Sequence, residues 1–120
     1  MFYEALLCQT REIDPVTLFN NIPWHPEVRH SSESLFIKGE YMNSVLEAAK
    51  MFIDTVKLRT GHPVGRDGKP LDGVKLIEHT FGSKPLVLKF NNLKTQADEN
   101  EQRGLSLIAQ GAVSAFRNPK

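Results

Sequence analysis

The sequence is poor in cysteine: Cys8 is the only one among its 120 residues. An internal disulfide is therefore excluded, and this usage suits a reducing compartment. Also missing is any apolar run near the roughly 18 residues that a membrane-spanning helix requires. The opening stretch, MFYEALLCQT, has no basic n-region and carries Glu4 inside its short apolar run, which argues against a secretory leader. The expectation is a cytoplasmic protein with no membrane association. Charge of one sign is scarce too, with 15 basic residues against 14 acidic ones and a net charge of +1. A protein that holds nucleic acid by bulk electrostatics is usually far more basic. What the balance leaves room for is a compact basic site on a neutral body.

The composition that remains is ordinary, at 40% apolar and 24% charged. Those fractions exclude a disordered tail or a coiled-coil rod. The length is that of one domain, large enough to bury a core without a metal or disulfide. No internal repeat or low-complexity tract interrupts it. Residues 1–24 read as an arm or the remnant of a preceding segment, in which Phe2, Leu6 and Leu7 share one side of a short helix. Asp14-Pro15 then supplies an N-cap and first-turn proline for a turn over Val16 to Asn20, which Pro23 breaks.

From residue 25 onward the pattern predicts an all-α domain of four main helices. His25-Pro26-Glu27 opens the first, with Val28, Leu35 and Phe36 on one side and Gly39 as its stop. The second, from Glu40 to about Arg59, is the clearest. Tyr41, Val45, Ala48, Ala49, Phe52, Ile53 and Val56 recur at helical spacing, and Gly61 and Pro63 end it. A turn-rich loop, GHPVGRDGKPLDG, leads to a third helix over Asp72 to Phe81. Leu86 to Phe90 is strand-like, but a lone strand makes no sheet, so it is expected as a short extended connector or a small hairpin arm. Thr95 and Asp98 have capping-box spacing for the fourth helix. Its inner side is predicted to carry Gly104, Leu105, Ile108, Gly111, Ala112, Ala115 and Phe116. Arg103, Ser106, Gln110 and Arg117 fall on the other side.

Few motifs carry chemistry. The glycine loop lacks Walker A spacing, because Lys69 is followed by Pro70. Asp67 and Asp72 do not alternate as calcium-loop ligands do. Glu27-x-x-His30 has the spacing of a di-iron half-site, but its mate is missing. His25, His30, His62 and His79 belong to no HExxH or CxxC framework, so neither a metal nor a cofactor is expected. No serine sits in a G-x-S-x-G elbow, and Cys8 reads as a small buried hydrophobe. Glu47, Lys50 and Asp54 could line a site, although Lys50 and Asp54 also form an ordinary i, i+4 surface pair.

The last residues carry the most information. Asn118 precedes a proline, is a favoured N-cap, and is followed by a favoured first-turn residue. Asn118-Pro119-Lys120 thus reads as the start of a helix that the chain does not contain. The expectation is a domain spanning 25–120 that is truncated at its C-terminus. Arg117, at the preceding helix end, is on elementary grounds a partner for the helix dipole.

Taken together, several stretches resemble the Ymh-type prophage family, a branch of the HEPN superfamily. They are His25-Pro26-Glu27, Leu35-Phe36 with Gly39-Glu40-Tyr41, Glu47-Ala48-Ala49-Lys50, and the Gly61–Leu71 loop with Asp67-Gly68. Glu101-Gln102-Arg103-Gly104, Gly111-Ala112 and Arg117-Asn118-Pro119 complete the series. The resemblance implies an antiparallel helical bundle that forms a homodimer. It also implies metal-independent cleavage of RNA in abortive-infection or toxin–antitoxin settings, with an antitoxin protein as a further partner. Arg117 and Asn118 would be the catalytic pair of an Arg-Asn-Pro-x-x-His motif whose His falls two positions past Lys120. Arg103, Glu47 and Lys50 would contact RNA or line the site. Lacking the His, the 120-residue chain is expected to be inactive. The alternative is a non-catalytic dimerisation or RNA-binding helical module.

Overall fold

The computed structural model describes residues 14–117. The helix expected around Phe2 to Leu7, the setting of Cys8 and the helix start at Asn118-Pro119 lie outside the described residues. Five helices follow in order: α1 (Pro15–Asn21), α2 (Pro26–Ile37), α3 (Tyr41–Arg59), α4 (Gly73–Ile77) and α5 (Gln96–Ala112). The last two continue as wider π-helical turns over Glu78–Gly82 and Val113–Arg117. Among the described residues no strand occurs, so the all-α expectation holds. The chain forms two compact units, one up to Ser44 and one from Val45, with the division inside α3.

In the first unit, local chemistry sets the helix starts. Asp14 accepts from the Thr17 N–H, and the His25 Nδ1 accepts from the Glu27 N–H, each with proline at the first helical position. Phe19 of α1 is buried and stacks on Phe36 of α2, with ring centroids 4.7 Å apart. Trp24 tilts against Phe19 and donates its indole N–H to the Phe19 carbonyl at 2.9 Å. Gly39 stops α2 as expected. Two serines then clamp the turn: Ser32 Oγ donates to the Ser44 carbonyl, and Ser44 Oγ donates to the Ser32 carbonyl. Both are buried, and each satisfies a polar group that would otherwise cost roughly 1–3 kcal/mol.

The second unit has a small apolar core of Ile53 and Val56 from α3, Leu76, Ile77 and Phe81 from α4 and its extension, and Val113 from the end of α5. Each such side chain contributes about 1.5–3 kcal/mol by leaving water. At the end of α3, the N–H of His62 reaches the Lys57 carbonyl at 2.8 Å and that of Gly61 reaches Leu58. This is a Schellman stop, and the φ of +75° at Gly61 is why glycine stands there. The loop beyond it closes on itself as a short hairpin bridging Val64 to Pro70. Its tip is held by the Gly65 N–H on the Lys69 carbonyl and the Lys69 N–H on Asp67 Oδ1.

The strand-like segment over Leu86 to Phe90 pairs with no second strand among the described residues, in keeping with its reading as a connector. Instead the N–H groups of Val87 and Leu88 both donate to the Thr80 carbonyl in the π-helical extension of α4. Phe90 stacks on Phe81, with centroids 4.9 Å apart. The capping box of α5 is realised: Thr95 Oγ1 accepts from the Asp98 N–H, and Asp98 Oδ2 accepts from that of Thr95.

One expectation is overturned. α5 turns its polar side inward. Gln102 and Ser106 are buried, whereas Leu105, Ile108 and Phe116 are exposed, Ile108 by 69%. The physical reason is the irregular backbone beside the helix. Gln102 accepts from the Phe90 N–H and donates to the carbonyls of Phe81 and Leu88, at 2.8–3.1 Å. Ser106 lies against Gly82, where an added Cβ would meet its Oγ at 3.0 Å. Unpaired backbone groups needed partners more than the core needed further apolar side chains.

Candidate functional site

The same inversion brings Arg117 to the inner side of its helix, in line with Val113 and Ala109, where the sequence had placed it on the outer side. Its guanidinium Nη2 lies 3.0 Å from Oδ2 and 3.3 Å from Oδ1 of Asp72. Asp72 is the N-cap of α4, accepting from the Gly73 N–H at 2.8 Å. On its other flank, Lys57 Nζ sits 3.1 Å from Asp72 Oδ1. Three elements therefore meet on one carboxylate: the last turn of α3, the cap of α4 and the π-helical extension of α5. Lys57 and Arg117 are roughly three-quarters buried by side chain (24% and 27% exposed), while Asp72 is about half exposed at 47%.

Partial burial pushes the Asp72 carboxyl up. The hydrogen bonds from Lys57 and the Gly73 N–H, with the charges of Arg117 and Lys57, outweigh that and hold it below the ordinary carboxylate range. Asp72 therefore stays ionised, and the triad carries a net positive charge.

The other expected site residues lie elsewhere. Glu47 and Lys50 pair with each other at 3.4 Å on the first half of α3. Lys50 is two turns, about 10 Å, from Lys57 along the helix. Lys50 thus engages Glu47 rather than Asp54. Arg103 is about 21 Å from Arg117 along α5. It lines a different cavity of about 380 Å³ between α5 and the end of α4, together with Phe81, Gln102, Ser106 and Gln110. Arg117, Arg103 and the Glu47–Lys50 pair are thus not brought into one site. Asn118 lies outside the described residues. Among the described residues, no group of three or more His, Cys, Asp or Glu side chains could hold a metal. None of their helices is long and apolar enough to cross a membrane.

Sequence reasoning missed Lys57 and Asp72. A signal was present, since Asp72 directly precedes the α4 pattern as an N-cap and Lys57 is a basic residue in the last turn of α3. What the sequence did not reveal is that Arg117, 45 residues from Asp72, joins them.

These features define a small all-helical protein with a cationic cluster where three helix ends converge. The chain belongs to the family described as "Protein of unknown function (Hypoth_ymh)", whose model matches residues 23–120. No curated protein and no solved structure matches the chain.

Proposed function

We infer that this chain is the helical domain of a HEPN-like endoribonuclease of prophage or phage-defence origin, acting on RNA in the cytoplasm without a metal. The observation that carries this reading is the convergence of Arg117 and Lys57 on Asp72, directly before Asn118-Pro119. Metal-free RNA cleavage uses the ribose 2′-OH as nucleophile. A base takes its proton, the 2′-oxygen bonds to phosphorus, and the 5′-oxygen leaves. Negative charge builds on the non-bridging oxygens, where a guanidinium fork provides matched donors. Asp72 engages one nitrogen of the Arg117 fork and fixes its orientation. Lys57 adds a second cation on the same carboxylate. In the family motif the base is a His two positions past Lys120, in the first turn of a helix that Asn118 would cap.

The reading also assigns a homodimer. Its support is the outward stripe of α5, where bulky Leu105, Ile108 and Phe116 alternate with open Gly104, Gly111 and Ala112. Such a stripe is complementary to itself about a twofold axis, bulky positions over open ones. An antitoxin protein is the further partner in this reading. A second reading, a non-catalytic dimerisation or RNA-binding module, draws on the same stripe and on the pairing of Arg117 with Asp72, which suits a structural role.

The two readings separate on the reading frame past Lys120 and on activity. With a His at the second position, the extended chain should cleave RNA in EDTA and the 120-residue chain should not. Robust cleavage by the 120-residue chain would overturn the role given to that His. Absence of cleavage by the extended chain would favour the non-catalytic module.

A further inference from the structure

The second unit gathers cations more densely than a net charge of +1 suggests. Asp72, which holds Lys57 and Arg117, also lines a surface depression of about 490 Å³ with Arg66, Lys69 and Lys75. A neighbouring depression of about 370 Å³ shares Arg66 and Lys75 and extends to His79. Arg66, Lys69 and Lys75 are exposed, and none pairs with a carboxylate among the described residues. Arg66, Lys69 and Lys75 thus line one strip, which Lys57 and Arg117 adjoin through Asp72; against these five cations stand the carboxylates of Asp67, Asp72 and Glu78, so cations remain in excess.

The strip has a fixed frame. Arg66 and Lys69 stand on the hairpin, whose backbone is closed by the Gly65–Lys69, Gly68–Gly65 and Leu71–Pro63 hydrogen bonds. Lys75 stands on α4 one turn before His79. Because the hairpin's geometry rests on backbone groups and Asp67, the side chains of Arg66 and Lys69 are not used to build it. Asp67, Asp72 and Glu78 in the same lining offset only part of this charge, and exposed like-charged side chains left in excess repel one another. A ligand with negative charge repeating along its length removes that repulsion by releasing its own condensed counterions.

We propose that this strip is a phosphodiester-backbone track for single-stranded RNA, with Arg66, Lys69 and Lys75 as sequence-independent phosphate contacts leading to the Lys57–Asp72–Arg117 cluster. Binding of a repeating polyanion rests on the strip alone. The choice of single-stranded RNA, and the claim that the bound strand feeds the cleavage site, rest on the ribonuclease reading above. The contacts are with phosphate and carry little base preference.

The test is titration of a fluorescent oligouridylate with the full 120-residue chain, in EDTA, over a range of salt. Each phosphate contact to a single strand adds about 0.7 to the slope of log affinity against log salt. The triple variant Arg66→Gln, Lys69→Gln, Lys75→Gln should bind about tenfold more weakly or worse, with the slope lower by about 2. A variant of equal charge loss, Lys84→Gln, Lys89→Gln, Lys94→Gln, should bind within about twofold of the parent. The charge-preserving set Arg66→Lys, Lys69→Arg, Lys75→Arg should retain binding, which separates lost charge from lost folding. An unchanged strip variant, an equal loss in both Gln variants, or no binding by the parent at low salt would overturn the proposal. Cleavage by the chain extended past Lys120 is read separately. RNA bound through the strip but never cut sinks the ribonuclease reading alone. Cutting that the strip variant leaves undiminished sinks the track alone.

Discussion

Arg117 and Asp72 are separated by 45 residues, yet one guanidinium nitrogen lies 3.0 Å and 3.3 Å from the two carboxylate oxygens. The contact ties the end of α5 to the start of α4, with Lys57 on the same carboxylate. It gives Arg117 a fixed direction, which the proposed function requires of it, and it contributes to folding.

The folding contribution should be modest, because Asp72 is about half exposed. Arg117→Ala should lower stability by about 0.5–1 kcal/mol. Asp72→Ala should cost about 1–2 kcal/mol, since it removes the α4 cap as well. Urea unfolding midpoints check both. A double-mutant cycle should give a coupling of a few tenths to about 1 kcal/mol.

Acid should selectively remove the Asp72 contribution. Its carboxyl is held below the ordinary value in the folded chain, so the folded state binds its proton less readily than the unfolded state. The stabilisation is therefore complete above the unfolded pKa of about 3.9 and is lost as pH falls through the lower folded value. The difference in urea midpoint between the parent and Asp72→Asn should be constant from pH 7 to about 5 and shrink below about 4. A difference that grows on acidification would contradict this assignment.

Gln102 should matter more for stability than any exposed apolar residue of α5. Gln102→Leu leaves the Phe90 N–H and the Phe81 and Leu88 carbonyls without their side-chain partner. A loss of about 2–3 kcal/mol is expected by thermal or urea unfolding, against less than about 1 for Ile108→Ala.

Ile108→Glu and Phe116→Glu address the proposed homodimer. Each places a charge on the outward stripe without entering the core. Analytical ultracentrifugation should then show a dimer for the parent and a monomer for each variant, with circular dichroism unchanged. A parent that sediments as a monomer at all concentrations would remove the dimer from the proposed function.

Much of the helical framework was legible in the sequence because its determinants are local. The Pro26 start, the glycine stops at Gly39 and Gly61, the Asp72 start and the Thr95–Asp98 box each depend on a few adjacent residues. The orientation of α5 was not legible. Its apolar stripe is real, but periodicity cannot tell which side meets the protein when the neighbouring backbone is irregular. The buried role of Gln102 depends on residues 12–21 positions away. The Ser32–Ser44 clamp escaped notice for a related reason, since short polar side chains leave no periodic trace. Of the candidate site, Arg117 was found through family likeness, and its partners Lys57 and Asp72 came only from the fold.

The most direct measurement is cleavage of a labelled single-stranded RNA in EDTA by the chain together with any residues its gene encodes after Lys120, where these place a His at the second position, beside its Arg117→Ala variant. The extended chain should cut the RNA, and Arg117→Ala should lose about 100-fold or more of that activity while keeping its fold. Cleavage undiminished in Arg117→Ala, or no cleavage by the extended parent, would contradict the role assigned to Arg117.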